Sequence, residues 1–239
     1  MPGLDYNSYV QQIAEMAVVQ SSDPSFQSIL PAMIDYAELR INRDLDLIST
    51  STALSGPTYT MTAGDRRLQF PMDIAGVGSF IVSEQVNLLI GGTDRVPLLP
   101  TTKEFLDAVY GSSASANRGA PKYYAPLNET LIFVGPVPDQ NYPYEVVGTI
   151  RPLPLSPANP ETFISKYLPD LMIMASMVYI SAYQRNFGRQ SDDPQMAQSY
   201  ESQYMTLLKG ATVEEARKKY EGPGWTSQSP SPIATPTRG

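Results

Sequence analysis

FISKYLPDLMIMASMVYISAYQRNF, residues Phe163 to Phe187, is the longest strongly apolar stretch of the chain. The run reads as a core helix against which the other helices lie. Pro169 places the start of the helix proper at about Leu168, since a proline suits the first helical turn and disturbs later ones. Gly188 follows Phe187 and suits a left-handed C-cap. The charge-free run from Leu171 to Gln184 falls short of the roughly 20 residues that a bilayer demands, so it is not a membrane span. It also has more apolar surface than one two-helix contact uses. It should be covered on several sides, in part by a neighbouring subunit.

Outward from this helix the chain divides by pattern. Leu4 to Val19 predicts a first helix with Tyr6, Val10, Ile13 and Ala17 on one face. Asp23-Pro24 is a helix start. Pro31 then suggests a short turn over Ser25–Leu30 and a main helix from Pro31 to Leu47. Its stripe is Ile34, Ala37, Ile41, Leu45 and Ile48, with Glu38, Arg40, Arg43 and Asp44 opposite. On the far side of the central run, Ser191 reads as an N-cap, with Asp192 and Asp193 in the first turn. A last helix then carries Met196, Tyr200, Tyr204, Leu207, Leu208 and Ala211 inward and ends in Arg217, Lys218 and Lys219.

Between these helices lie short alternating runs: Thr58–Thr62, Arg67–Phe70, Val77–Val82, Val86–Ile90, Arg95–Leu99, Lys122–Ala125, Thr130–Val134 and Tyr142–Arg151. Thr101–Tyr110 is a brief helix with Thr101 and Glu104 spaced as a capping box. Residues 111–119, GSSASANRG, form a loop. The fold expected is α+β, a four-helix bundle with an inserted antiparallel β module of six to eight short strands and an extended C-terminal arm. The boundaries are residues 1–49 for the first bundle helices, 50–155 for the β module, 156–220 for the remaining helices and 221–239 for the arm.

Composition narrows the chemistry. Charged residues are 17% of the chain, below the usual quarter, and the net charge is −7. An acidic surface grips nucleic acid poorly. Twenty-two prolines and fifteen tyrosines favour turns, extended segments and half-buried interfaces. The chain has no cysteine and no histidine. Disulfides, thiolate metal sites and nucleophiles activated by histidine are therefore excluded. The opening MPGLDYNSYV has neither the basic nor the apolar region of a signal peptide. Asp44 with Asp46, Asp192-Asp193 and Glu214-Glu215 are the carboxylate pairs. They read as helix-end and surface charges rather than an acid–base site. Asp44-x-Asp46 lacks the glycine and glutamate of a calcium loop. Arg118, Lys122 and Arg151 read as separate surface charges. No catalytic residue, cofactor or metal is expected.

The last residues, EGPGWTSQSPSPIATPTRG, hold too few apolar groups to fold alone, yet contain the sole tryptophan, Trp225, and Ile233. Such a segment suits docking into a partner's groove. The residues expected to dock are Pro223, Gly224, Trp225, Pro230, Ile233, Pro236 and Arg238.

Three segments together resemble the head-to-tail adaptor proteins of tailed phages. They are Ile29–Ile48 with its AELRI and RDLDL core, and Gly119–Pro160 with GAPKYYA and LIFVGPVPDQNYPYEVVGTIRPLPLSPANP. The third is the helix YLPDLMIMASMVYISAY followed by a polar, tyrosine-rich helix. The resemblance spans most of residues 25 to 210, and the C-terminal arm lies outside it. It implies a virion structural protein that forms a twelve-subunit ring, assembled in the host cytoplasm. The helices would stack on the portal protein and the β module would meet a tail nozzle or fibre protein. The arm would reach along the portal, and genome DNA would pass through the lumen unbound. Closed rings need head-to-tail contacts of this kind. Other head-completion, tail-terminator or baseplate proteins share the composition, and a carboxylate-dependent cell-wall hydrolase is a more distant alternative.

Overall fold

In a computed structural model the described residues are 3–70, 73–91, 94–128, 130–184 and 194–220. The chain forms two compact units. One joins residues 1–48 to the segment from Leu155 onward, and the other is Ser49–Pro154.

The first unit is helical. Its elements are α1 (Tyr6–Met16), α2 (Pro24–Asp44), α4 (Phe163–Tyr167), α5 (Pro169–Gln184) and α6 (Pro194–Tyr220), while α3 (Lys103–Tyr110) lies in the other unit. Among the described residues the expected four-helix bundle is therefore corrected to five helices of unequal length, four of them packed on α5. The opening stretch breaks in two because Pro169 pushes Leu168 out of the helical region, to φ −128°. Ahead of the break, Thr162 caps α4 in a capping box with Ser165. α5 packs against α1, α2, α4 and α6. No residue from Leu171 to Ser181 is exposed, and Met174, Val178, Tyr179 and Ser181 are half-buried. Met172 and Met177 are core residues.

α2 runs through Pro31 without interruption. Phe26, Ile29, Leu30, Met33, Ile34, Ala37 and Ile41 are buried on both sides of the proline at steps of three and four. Burial of that continuous stripe outweighs the one hydrogen bond the proline forgoes, and the ring itself faces solvent. Asp23 caps the helix through the N–H groups of Ser25 (2.8 Å) and Phe26 (3.1 Å). Glu38 departs from the expected outer face and is buried, whereas Ile48 is exposed.

The second unit holds β1 (Ser51–Leu54), β2 (Thr60–Met61), β3 (Arg67–Gln69), β4 (Asp73–Ile74), β5 (Gly78–Ile90), β6 (Asp94–Pro97), β7 (Leu99–Pro100), β8 (Tyr123–Pro126), β9 (Leu131–Gly135) and β10 (Tyr142–Pro152). One sheet has the order β1-β10-β5-β4, with β2 also on β10 and β6 also on β5; the other has the order β3-β9-β8-β7. The expected strands at 77–82 and 86–90 are one strand, β5, whose polar centre Ser83-Glu84-Gln85 keeps its pairing with β10 through register shifts. Gly148 lies at such a shift, where a Cβ would stand 2.0 Å from the Val82 carbonyl oxygen. The pairing is not wholly antiparallel, since β7 and β8 run parallel. Tyr142, Tyr144, Val146, Gly148 and Ile150 alternate inward along β10. The first two, with Val146 and Ile150, share one hydrophobic core with Leu68, Tyr124, Ile132 and Val134 of the second sheet. Asn128 makes the β8–β9 turn, its side-chain oxygen accepting from the N–H groups of Thr130 and Leu131.

Candidate functional site

The residues 221–239, and with them Pro223, Gly224, Trp225, Pro230, Ile233, Pro236 and Arg238, lie outside the described residues, as do Gly188, Ser191, Asp192 and Asp193. The remaining carboxylate pairs are engaged. Asp44 accepts the Tyr204 hydroxyl at 2.7 Å. Asp46 pairs with Lys219, and Glu214 and Glu215 both pair with Lys218, at 2.9 and 2.7 Å. Among the described residues no cluster of three acidic groups is placed to hold a metal ion. A shallow cleft lined by Asn7, Gln11, Ser21, Ser22 and Gln27 has no ionisable side chain. Arg118 donates to the Ser113 carbonyl at 3.0 Å, and Arg151 lies on β10 opposite Ser79. No helix of the described residues is long and apolar enough to cross a membrane.

What the β unit does present is a group of aromatic rings at its surface, built by α3 against β8 and β9. Thr102, one residue later than expected, caps α3 by accepting from the Phe105 N–H at 3.3 Å. Of the apolar residues in this helix only Leu106 is fully buried. Gly135 on β9 makes that approach possible, since a Cβ there would stand 2.7 Å from Leu106 Cδ2 and 2.9 Å from Tyr110 Cδ2. Asp107 anchors the helix by accepting from Arg66 at 2.7 Å and from Lys103 at 2.5 Å. These two cations hold its carboxyl below the usual range, the hydrogen bond from Lys103 first. Arg66 also lies over the Phe133 ring at 4.6 Å.

With α3 held this way, Phe105 and Val109 point outward, 40% and 54% exposed. Phe105 meets Tyr123 of β8 edge-on at 5.5 Å and Tyr110 at 6.4 Å, and Tyr110 stacks on Tyr123 at 6.0 Å. Leu99, 56% exposed, is the register partner of Tyr123. The outcome is an apolar platform of three mutually touching rings flanked by two aliphatic side chains. Exposed apolar clusters of this kind mark contact sites between proteins. The helix was legible in the sequence and the platform was not. The signal available was FLDAVY, where Phe105, Leu106, Val109 and Tyr110 exceed what one face of an eight-residue helix can bury.

The helical unit contributes a second feature, a buried clasp. Glu38 accepts from the Thr162 hydroxyl at 2.9 Å and from the Leu155 N–H at 3.2 Å. Burial pushes its carboxyl up to about 7, against the opposing pull of those two hydrogen bonds. The clasp ties the incoming segment 155–162 to α2.

The β unit thus offers an exposed apolar contact surface. The family model described as SU10 adaptor protein matches residues 5–228. The chain belongs to the SU10 adaptor protein family, whose members are structural adaptors of phages. No curated protein matches it.

Proposed function

We propose that the protein is the head-to-tail adaptor of a tailed phage. In this reading copies close into a twelve-subunit ring beneath the portal protein, the β unit meets a nozzle or fibre protein of the tail, and the ring's lumen passes the genome during ejection without binding it. The protein is made in the host cytoplasm and ends in the virion at the head–tail junction. Residues 223–238 dock along the portal, with Trp225 and Ile233 as the apolar anchors. The family match over residues 5–228 carries the reading. The net charge of −7 supports it, because an acidic channel wall repels phosphate.

The test is to mix the purified protein with assembled portal and examine the product by sizing and electron microscopy. A ring of added density on the portal is expected, and removal of residues 222–239 should weaken binding at least tenfold with the fold unchanged. A chain that stays monomeric and unbound beside intact portals would overturn the adaptor reading. Full binding without residues 222–239 would overturn only the role given to that segment.

A further inference from the structure

We propose that the Phe105–Tyr110–Tyr123 platform is the docking site of the chain's own C-terminal segment, residues 222–239, before any partner binds. Two features of the chain match in chemistry. The first is the platform, where three rings touch one another at 5.5 to 6.4 Å and leave an exposed apolar surface extended by Leu99 and Val109. The second is a segment of matching chemistry in the same chain, with Pro223, Pro230, Pro232 and Pro236 interleaved with Trp225 and Ile233.

Proline-rich sequence favours a left-handed extended helix with little conformational entropy left to lose. Surfaces lined with aromatic side chains bind it by packing the pyrrolidine rings against ring faces. Arg238 is the one charged side chain of residues 222–239, so apolar contact dominates the match. In that extended form residues 221–239 span about 60 Å, at about 3.1 Å per residue. Elsewhere the described ring pairs suit the role less well: Tyr36–Tyr179 is a single pair of half-buried rings. Tyr59–Tyr144, Phe70–Phe80 and Phe70–Tyr144 contribute to the β-unit core. Phe163–Tyr167 is a single pair whose Phe163 ring is already faced by Lys218 at 5.4 Å.

The proposal goes beyond the adaptor reading and does not depend on it. If both hold, a portal must draw the segment off the platform rather than capture it free.

Trp225 is the only tryptophan, so its fluorescence reports the segment directly in the full-length protein without a partner. The expected emission lies to the blue of a synthetic peptide of residues 221–239. It should move red in Phe105→Ala and in Tyr123→Ala, each with unchanged circular dichroism. Because the chain has no cysteine, Val109→Cys paired with Ile233→Cys gives a second readout that leaves all three rings in place. That pair should form a disulfide at least tenfold faster than Val213→Cys paired with Ile233→Cys, within one copy or between a tagged and an untagged copy. Emission equal to the free peptide's, emission unmoved by both ring substitutions, or disulfide formation no faster than the Val213 control would each overturn the proposal. Portal binding enters none of these measurements, so their failure leaves the adaptor reading standing.

Discussion

Glu38 and Thr162, 124 positions apart in the chain, share a 2.9 Å hydrogen bond in which the hydroxyl donates to the carboxyl. The bond closes the helical unit over the segment that returns from the β unit. It also gives that unit a pH dependence. The Glu38 carboxyl sits near 7 in the folded chain, above its ordinary 4.5. Between those values the folded state holds a proton that the unfolded state has released, so stability falls as pH rises through this window. The full effect is on the order of 3 kcal/mol. Urea midpoints at pH 5 and pH 8 should show the fall, and Glu38→Gln should flatten it. Glu38→Ala should instead cost about 1 to 3 kcal/mol at pH 5, because the Leu155 N–H and the Thr162 hydroxyl lose their acceptor.

Tyr9 and Ser176 provide a test of order. Ser176 Oγ donates to the Met172 carbonyl at 2.7 Å, which leaves it to accept from the Tyr9 hydroxyl, also at 2.7 Å. Tyr9 is fully buried. Ser176→Ala therefore strands a buried hydroxyl and should cost about 1 to 3 kcal/mol. Tyr9→Phe leaves Ser176 with its carbonyl partner and should cost less. The double variant should be no less stable than Ser176→Ala alone, a non-additivity that chemical denaturation of all four proteins would measure.

Arg40 is held by geometry as much as by charge. It reaches both oxygens of Glu201, with one contact at 2.8 Å, and its guanidinium lies 4.1 Å from the centre of the Tyr204 ring. Glu201 in turn is held below the usual carboxylate range, first by the hydrogen bond from Arg40. Arg40→Lys keeps the charge and loses the fork and the planar stacking. A loss of about 1 kcal/mol is expected by thermal denaturation, with the α2–α6 contact loosening first in hydrogen exchange.

Gly135→Ala probes how firmly the platform is seated. The added methyl meets Leu106 and Tyr110, so α3 must shift away from β9. Overpacking of this sort costs about 1 to 3 kcal/mol. Faster amide exchange over residues 103–110 with β10 still protected would match the expectation; uniform exchange across the β unit would not.

These particular residues also show where sequence reading reached and where it stopped. α5 was legible because an apolar run without polar interruption has few places to go but a core. The start of α5 near Leu168-Pro169 was legible because proline suits a first helical turn, whereas the separate α4 ahead of it was not. Glu38 was not, since its charge outweighed its position, four residues after Ile34 and three before Ile41, within the buried stripe. β1 was missed because Ser51-Thr52 resembles a loop until β10 pairs with it. The split of β5 followed from its polar centre, which only cross-strand pairing holds in line. The platform depended on which side of α3 meets β9, and no local pattern states that.

The helical unit has a consequence for synthesis. Its first half, α1 and α2, leaves the ribosome with Ile13, Met33 and Ile41 uncovered, while the helix that buries them, α5, is encoded beyond residue 168. All the strands of the β unit lie between. At about 5 to 20 residues per second, its residues 49–154 alone impose a wait of about 5 to 20 seconds. The inserted unit is therefore complete before the surrounding one can close. The nascent N-terminal helices are the part of the chain with the greatest call on chaperones, and a stall within the β-coding region would prolong their exposure.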